Sequence, residues 1–208
     1  MRALLIALNI LLLLAIFGVA LFWHPAADEA PLPGLPRVVA DVPLADLPMG
    51  GDFTLDGPRG AVSLSDYRGR LVLLQFGYTY CPDICPTALT IIADALAGLT
   101  AAERARVQAL FVSVDPERDT VARLAEYTAF FHPDIVGLTG PNPRLAEIAS
   151  RYGAVFVRQD DASAGGYVID HTALTYLIDG EGRLVASLPH ATPAPQLLAE
   201  MRKHLPTH

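Results

Sequence analysis

Both cysteines of the 208-residue chain fall inside Phe76–Thr87, Phe-Gly-Tyr-Thr-Tyr-Cys-Pro-Asp-Ile-Cys-Pro-Thr, and this stretch constrains the fold more than any other. Before it, Leu71 to Phe76 is a run of β-type residues; after it, Leu89, Ile92, Ala93 and Leu96 recur at helical period. Cys81 and Cys85 are therefore expected at a strand-to-helix junction. Pro82 and Pro86 suit a first turn, where no intrahelical donor is needed. Once the helix has begun, residues four apart share one face, with Cβ atoms about 5–6 Å apart. Such a pair can grip one soft metal ion or close into a disulfide, whose Cα separation reaches roughly 6.8 Å. Helix N-terminal amides also favour the thiolate, the form that ligates and attacks. Purely structural cysteines have no reason to choose a Pro-rich loop at a strand end. A disulfide across so short a loop stabilises little, because the chain-entropy gain grows with loop length. Redox or metal chemistry is the better account of the pair.

Arg2 precedes an apolar run from Ala3 to Trp23, interrupted only by Asn9 and Gly18. That is about the 20 residues a membrane-spanning helix requires, and longer than the roughly 7–15-residue core of a cleaved signal peptide. Trp23 and His24 suit the membrane interface, and Arg2 suits the cytoplasmic side. Residues 1–23 are thus expected to be an uncleaved signal anchor that leaves the bulk of the chain outside the cytoplasm. Residues 24–47, with Pro25, Pro31, Pro33, Pro36 and Pro43, read as an extended, semi-stiff linker. The anchor inflates the 52% hydrophobic content, and residues 48–208 have the make-up of one soluble domain. A net charge of −7 with no basic cluster argues against nucleic acid as a partner.

Within that domain strands alternate with helices. Gly50 to Leu55 and Ala61 to Leu64 read as short strands around Asp56–Gly60, and Ser65–Gly69 as a single turn leading into Arg70 to Phe76. A helix is expected from Thr87 to Leu99, then a start at Thr100, where Glu103 completes a capping box. Val107 to Val114 reads as a strand, and Asp115-Pro116-Glu117 as the opening of a helix. Val136 to Thr139 follows as a strand and Pro143 to Tyr152 as a helix. Val155 to Arg158 and Tyr167 to Asp170 read as strands around a polar, glycine-rich loop. Thr172 to Ile178 and Arg183 to Ser187 form a hairpin, and Pro195 to Lys203 a last helix. This alternation predicts an α/β layered domain with a partly parallel central sheet.

His171 stands between Asp170 and Thr172, at the junction of two β runs. His24, His132, His190, His204 and His208 lack any comparable setting. Asp83, between the cysteines, reads as a turn residue rather than a ligand.

The cysteine stretch closely resembles the Sco/SenC family of membrane-anchored copper proteins. The likeness runs from Gly51-Asp52-Phe53-Thr54-Leu55 through Ser113–Thr120 and Leu138-Thr139-Gly140 to Asp170–Asp179. The resemblance implies a thioredoxin-like fold, a central mixed β-sheet flanked by helices, preceded by one N-terminal transmembrane helix. It also implies copper, Cu(I) or Cu(II), held by Cys81, Cys85 and His171, with the two cysteines able to form a redox-active disulfide. Asp170 is then a candidate to receive the other N–H of the His171 ring. Thioredoxin-like oxidoreductases usually carry a cis-proline where Ala173 stands here. Its replacement tilts the reading toward metal binding, since a cis peptide is essentially a proline property.

The expected role is a copper metallochaperone, not a turnover enzyme, acting on the dinuclear copper centre of cytochrome c oxidase subunit II. Its expected partners are a copper donor protein and a thioredoxin-like periplasmic reductant. Its expected place is the inner membrane, single-pass, with the soluble domain in the periplasm. The alternative is a thiol-disulfide oxidoreductase that reduces the cysteines of that centre or of another copper carrier. A peroxidase fits less well, because Thr79 precedes Cys81 by two residues and not three.

Overall fold

Seven consecutive buried residues, Leu71–Gly77, can only be a strand covered on both faces, and the domain is layered around it. The computed structural model describes residues 49–161 and 166–206, together with Gly18. The chain divides into two units, Met1–Val42 and Pro43–His208. The expected signal anchor, residues 1–23, and the linker, residues 24–47, lie outside the described residues apart from Gly18. Among the described residues, no helix is long and apolar enough to cross a membrane.

In chain order the elements are β1 (Thr54–Gly57), β2 (Gly60–Ser63), a 3-10 turn (Leu64–Tyr67), β3 (Leu71–Gly77), α1 (Ile84–Ala97) and α2 (Ala101–Arg104). Then come β4 (Val107–Ser113), α3 (Val121–Phe131), β5 (Ile135–Leu138), α4 (Asn142–Arg151), β6 (Phe156–Asp161) and β7 (Gly166–His171). The last three are β8 (Leu174–Ile178), β9 (Leu184–Pro189) and α5 (Ala194–His204). The main sheet has the order β5-β4-β3-β8-β9, parallel from β3 to β5 and antiparallel from β3 through β8 to β9. This is the mixed, thioredoxin-like α/β arrangement expected. β1 and β2 form a separate antiparallel pair, as do β6 and β7.

The sheet is buried because helices cover it. Leu89, Ile92 and Leu96 line the inner face of α1, and Phe76, Tyr152 and Tyr176 meet edge-on or tilted with centroids 5.7 to 6.0 Å apart. The Thr100 capping box is present, with Glu103 N–H donating to the Thr100 hydroxyl at 3.2 Å and Thr100 N–H to the Glu103 carboxylate at 2.8 Å.

Two helix starts differ from expectation. α1 begins at Ile84, three residues earlier than the Thr87 start, so Cys85 lies inside the first turn. The helix after β4 does not open at Asp115. Residues 116–118 form a turn, and α3 is capped by Thr120, whose hydroxyl accepts from the Arg123 N–H at 3.2 Å. The Asp115 carboxylate is engaged elsewhere, by Arg118 and by the Tyr167 hydroxyl.

Candidate metal centre

The loop that carries Cys81 leaves the end of β3 and is fastened from behind. Val114 N–H donates to the Gly77 carbonyl at 2.8 Å. The Thr79 N–H and hydroxyl both donate to the Asp119 carboxylate, at 2.9 and 2.6 Å, and the Ser113 hydroxyl adds a third bond at 2.7 Å. Asp119 is fully buried, so three donors to a charged acceptor offset the cost of its burial. Asp83 is the N-cap of α1 and receives the Thr87 hydroxyl at 3.5 Å, in keeping with a turn role. The Cys85 N–H donates to Cys81 Sγ at 3.4 Å. Gly77 makes room for the second sulfur: a Cβ there would lie 2.7 Å from Cys85 Sγ.

His171 ends β7 and closes the site from the other side. Its Nε2 lies 3.3 Å from Cys85 Sγ, and the ligand atoms of Cys81, Cys85 and His171 all lie within 4.8 Å of one another. Its Nδ1 is 3.1 Å from the Thr172 carbonyl. A carbonyl only accepts, so Nδ1 carries a proton, and Nε2 is the ring atom that faces the sulfurs. The Tyr78 ring holds the imidazole edge-on at 5.9 Å. Asp170 does not have the expected role: it is exposed, and the partner of the ring's N–H is the Thr172 backbone.

The two thiols differ. Cys81 is partly exposed and Cys85 fully buried, and both are free thiols. Hydrogen bonding from the Cys85 thiol draws the Cys81 pKa strongly down against the effect of burial, with the His171 ring and the Cys85 and Asp83 N–H groups assisting. The same bond, burial and the adjacent Cys81 charge push Cys85 strongly up. The two shifts oppose each other, so Cys81 is the sulfur that ionises first. A cleft of about 340 Å³ opens beside them, between Cys81–Ile84 and Val168–His171.

The remaining histidines stay apart from this group. His132 accepts from the Asp134 N–H, His204 sits against Glu200 and His190 is exposed; His24 and His208 lie outside the described residues. Nothing in the local sequence pattern gives Asp119 or Arg118 a task. Both lie in the Ser113–Thr120 stretch that carries the family resemblance, which was the available signal.

A thioredoxin-like domain whose dithiol is joined by an imidazole from a distant strand defines a class of soft-metal and redox proteins. The chain belongs to the SCO1/SenC family, whose family model matches residues 43–206. It is similar to the mitochondrial Protein SCO2 homolog of Bos taurus, 38% identical over 157 residues that cover 74% of this chain. The match spans 59% of the length of that relative. The structure of Bradyrhizobium japonicum ScoI with copper bound is 36% identical, with a TM-score of 0.69, covering 76% of this chain and 99% of the other. BsSco, described as a member of the Sco family of cytochrome c oxidase assembly proteins, shares the fold at 24% identity. Its TM-score is 0.62, over 79% of this chain and 96% of that one.

Proposed function

We propose that this chain is a membrane-anchored copper metallochaperone for cytochrome c oxidase assembly, carrying Cu(I) or Cu(II) on Cys81, Cys85 and His171. The observation that carries this reading is the convergence of two sulfurs and the His171 Nε2 within 4.8 Å, in a family with a copper-bound relative at 36% identity. Soft sulfur suits Cu(I), and imidazole extends the site to Cu(II). Cargo binding requires both thiolates, so the proton held by Cys85 leaves as copper arrives. The Thr172 carbonyl keeps the ring in the tautomer that ligates, so no proton must move within the imidazole.

The recipient in this reading is the dinuclear copper centre of oxidase subunit II, with a copper donor protein upstream and a thioredoxin-like periplasmic reductant that returns an oxidised pair to the dithiol. The apolar run of residues 1–23 supports a single-pass anchor in the inner membrane, with residues 24–47 as tether and the domain in the periplasm.

A second reading, disulfide reduction at the oxidase copper site or on another carrier, is favoured by the unequal thiols. A partly exposed thiolate at Cys81 can attack a target disulfide, and buried Cys85 can resolve the mixed disulfide. His171→Ala separates the readings. The metallochaperone reading expects a folded protein with two titratable thiols, most Cu(II) affinity lost and oxidase assembly crippled. Intact assembly alongside lost Cu(II) binding would transfer the role to disulfide exchange.

A further inference from the structure

His171 is carried by the β6–β7 pair, which makes no strand pairing with the main sheet. The cysteines hang from the end of β3 and the start of α1. β8, which begins three residues after His171 and pairs with β3, ties only the far end of β7 to the main sheet, so the rest of β7 needs a second support. The turn after β4 supplies it.

The guanidinium of Arg118 lies 3.6 Å from the centroid of the Tyr167 ring on β7 and 4.6 Å from that of Tyr80, the residue before Cys81. Its Nη1 donates to the Tyr167 carbonyl at 3.1 Å, and its Nε to the Asp115 carboxylate at 2.5 Å. Asp115 in turn accepts from the Tyr167 hydroxyl at 2.6 Å. Arg118 thus touches the cysteine loop, the turn after β4 and the histidine strand at once. Planar guanidinium suits this work, since it stacks on rings and donates along its edge. Around it, Tyr78 accepts the Ile169 N–H at 3.2 Å, and Glu117 pairs with Arg158 at 3.0 Å. The next residue in the turn, Asp119, grips Thr79. Adjacent side chains therefore fasten the two halves of the site to one frame.

On the copper reading above, we propose that Arg118 is a positioning residue that fixes the His171 imidazole at the sulfurs, and so decides whether the site offers two ligands or three. Without it β7 loses one of the two guanidiniums stacked on Tyr167, the other being Arg158 at 3.7 Å, together with one hydrogen bond and its link to Tyr80, while the Asp119 clasp on the cysteine loop remains. The thiols then stay in place and the imidazole drifts.

The test uses the full chain with Arg118→Lys, which keeps the charge but removes the stacking plane and the fork. The double change Asp115→Asn/Arg118→Gln, which leaves no orphaned charge, is a second variant should Lys fold poorly. In the metal-free protein, contacts between the Tyr78 and His171 rings are read by NMR. Copper binding is read separately for Cu(I) and Cu(II), also in a His171→Ala background. We expect a loss of the ring contact, an unchanged thiol count, wild-type Cu(I) binding and a fall of at least tenfold in Cu(II) affinity. We also expect no further fall when His171 is already alanine, whereas a merely structural role would lower binding equally in both backgrounds. A folded variant that keeps the ring contact, or an Arg118 effect that adds in full to His171→Ala, overturns the assignment. Failure of the copper reading shows instead in the wild type, as Cu(II) bound without thiolate charge transfer, and leaves the metal-free ring contact to decide the role of Arg118.

Discussion

Gly77→Ala adds a single methyl group at the point where strand, helix and metal site meet. The new Cβ would lie 2.7 Å from Cys85 Sγ and 2.7 Å from Phe111 Cε2, where ordinary contact begins near 3.4 Å. About 0.7 Å must be found on each side, and both neighbours are fully buried. Phe111 sits in the central parallel strands and Cys85 in the first turn of α1, so neither can swing to solvent. Overpacking of this kind costs about 1–3 kcal/mol. At about 2–4 °C per kcal/mol for a domain of this size, the melting midpoint should fall by about 2–12 °C. The softer neighbour is the helix start, which rests on one turn of hydrogen bonds, so Cys85 is the group that moves. A shift of that size spoils its 3.3 Å approach to His171, and Cu(II) affinity should fall at least tenfold, or about 1.4 kcal/mol. Thermal melts and Cu(II) titration of the same protein test both parts. Phe111→Leu in the Gly77→Ala background should restore some stability and little of the copper binding. A variant with wild-type midpoint and wild-type charge-transfer band would refute the reasoning, because the close approach would then constrain nothing.

Asp119→Asn replaces a carboxylate that accepts three hydrogen bonds by a group with one acceptor oxygen. At about 1.5–3 kcal/mol for hydrogen bonds to a charged group, urea unfolding should show a loss of about 2–4 kcal/mol, together with faster alkylation of Cys81. Oxidised, reductant-free protein should hold an intramolecular Cys81–Cys85 disulfide and bind no copper, since a disulfide presents no thiolate; stoichiometric loading of that form would contradict this. Arg202 beside Glu103, with the Thr100 N–H, holds the Glu103 carboxyl down to about 2. Because the folded pKa is lowered, the associated stability is present above the ordinary value of 4.5 and is lost as pH falls from there toward about 2. The difference in melting midpoint between wild type and Glu103→Gln should therefore be constant near neutrality and shrink across that window.

Local chemistry made much of this legible in advance. The buried run of β3, the Thr100 capping box and the Pro-flanked cysteines each declare themselves within a few residues, and strand–helix alternation fixed the fold class. What stayed hidden depends on partners far along the chain. Asp115 looked like a helix cap because Asp-Pro-Glu is a good local start, yet its carboxylate bonds Tyr167, 52 residues away, and Thr120 takes over the cap. Asp170 looked like the partner of His171 because it is its neighbour, while the true acceptor is a backbone carbonyl, which every residue possesses and no side-chain pattern reveals. Arg118 is, by sequence, one arginine in a charged turn, and only the fold sets the rings of Tyr78, Tyr80 and Tyr167 around it.

The order of the main sheet has a kinetic side. β3 lies between β4, which follows it closely along the chain, and β8, about a hundred residues further on. Pairing of distant strands is a late and slow event, since loop closure must precede the contacts that reward it. His171 stands three residues before β8 and 86 after Cys85. The closure that brings β8 beside β3 is therefore also the event that delivers the imidazole to the sulfurs. A chain still folding offers any metal only two sulfurs, and the three-ligand site exists only once the sheet has closed. Cargo that prefers three ligands then acts by mass action on that closure alone, so loading with Cu(II) should slow unfolding and leave the early folding phase untouched.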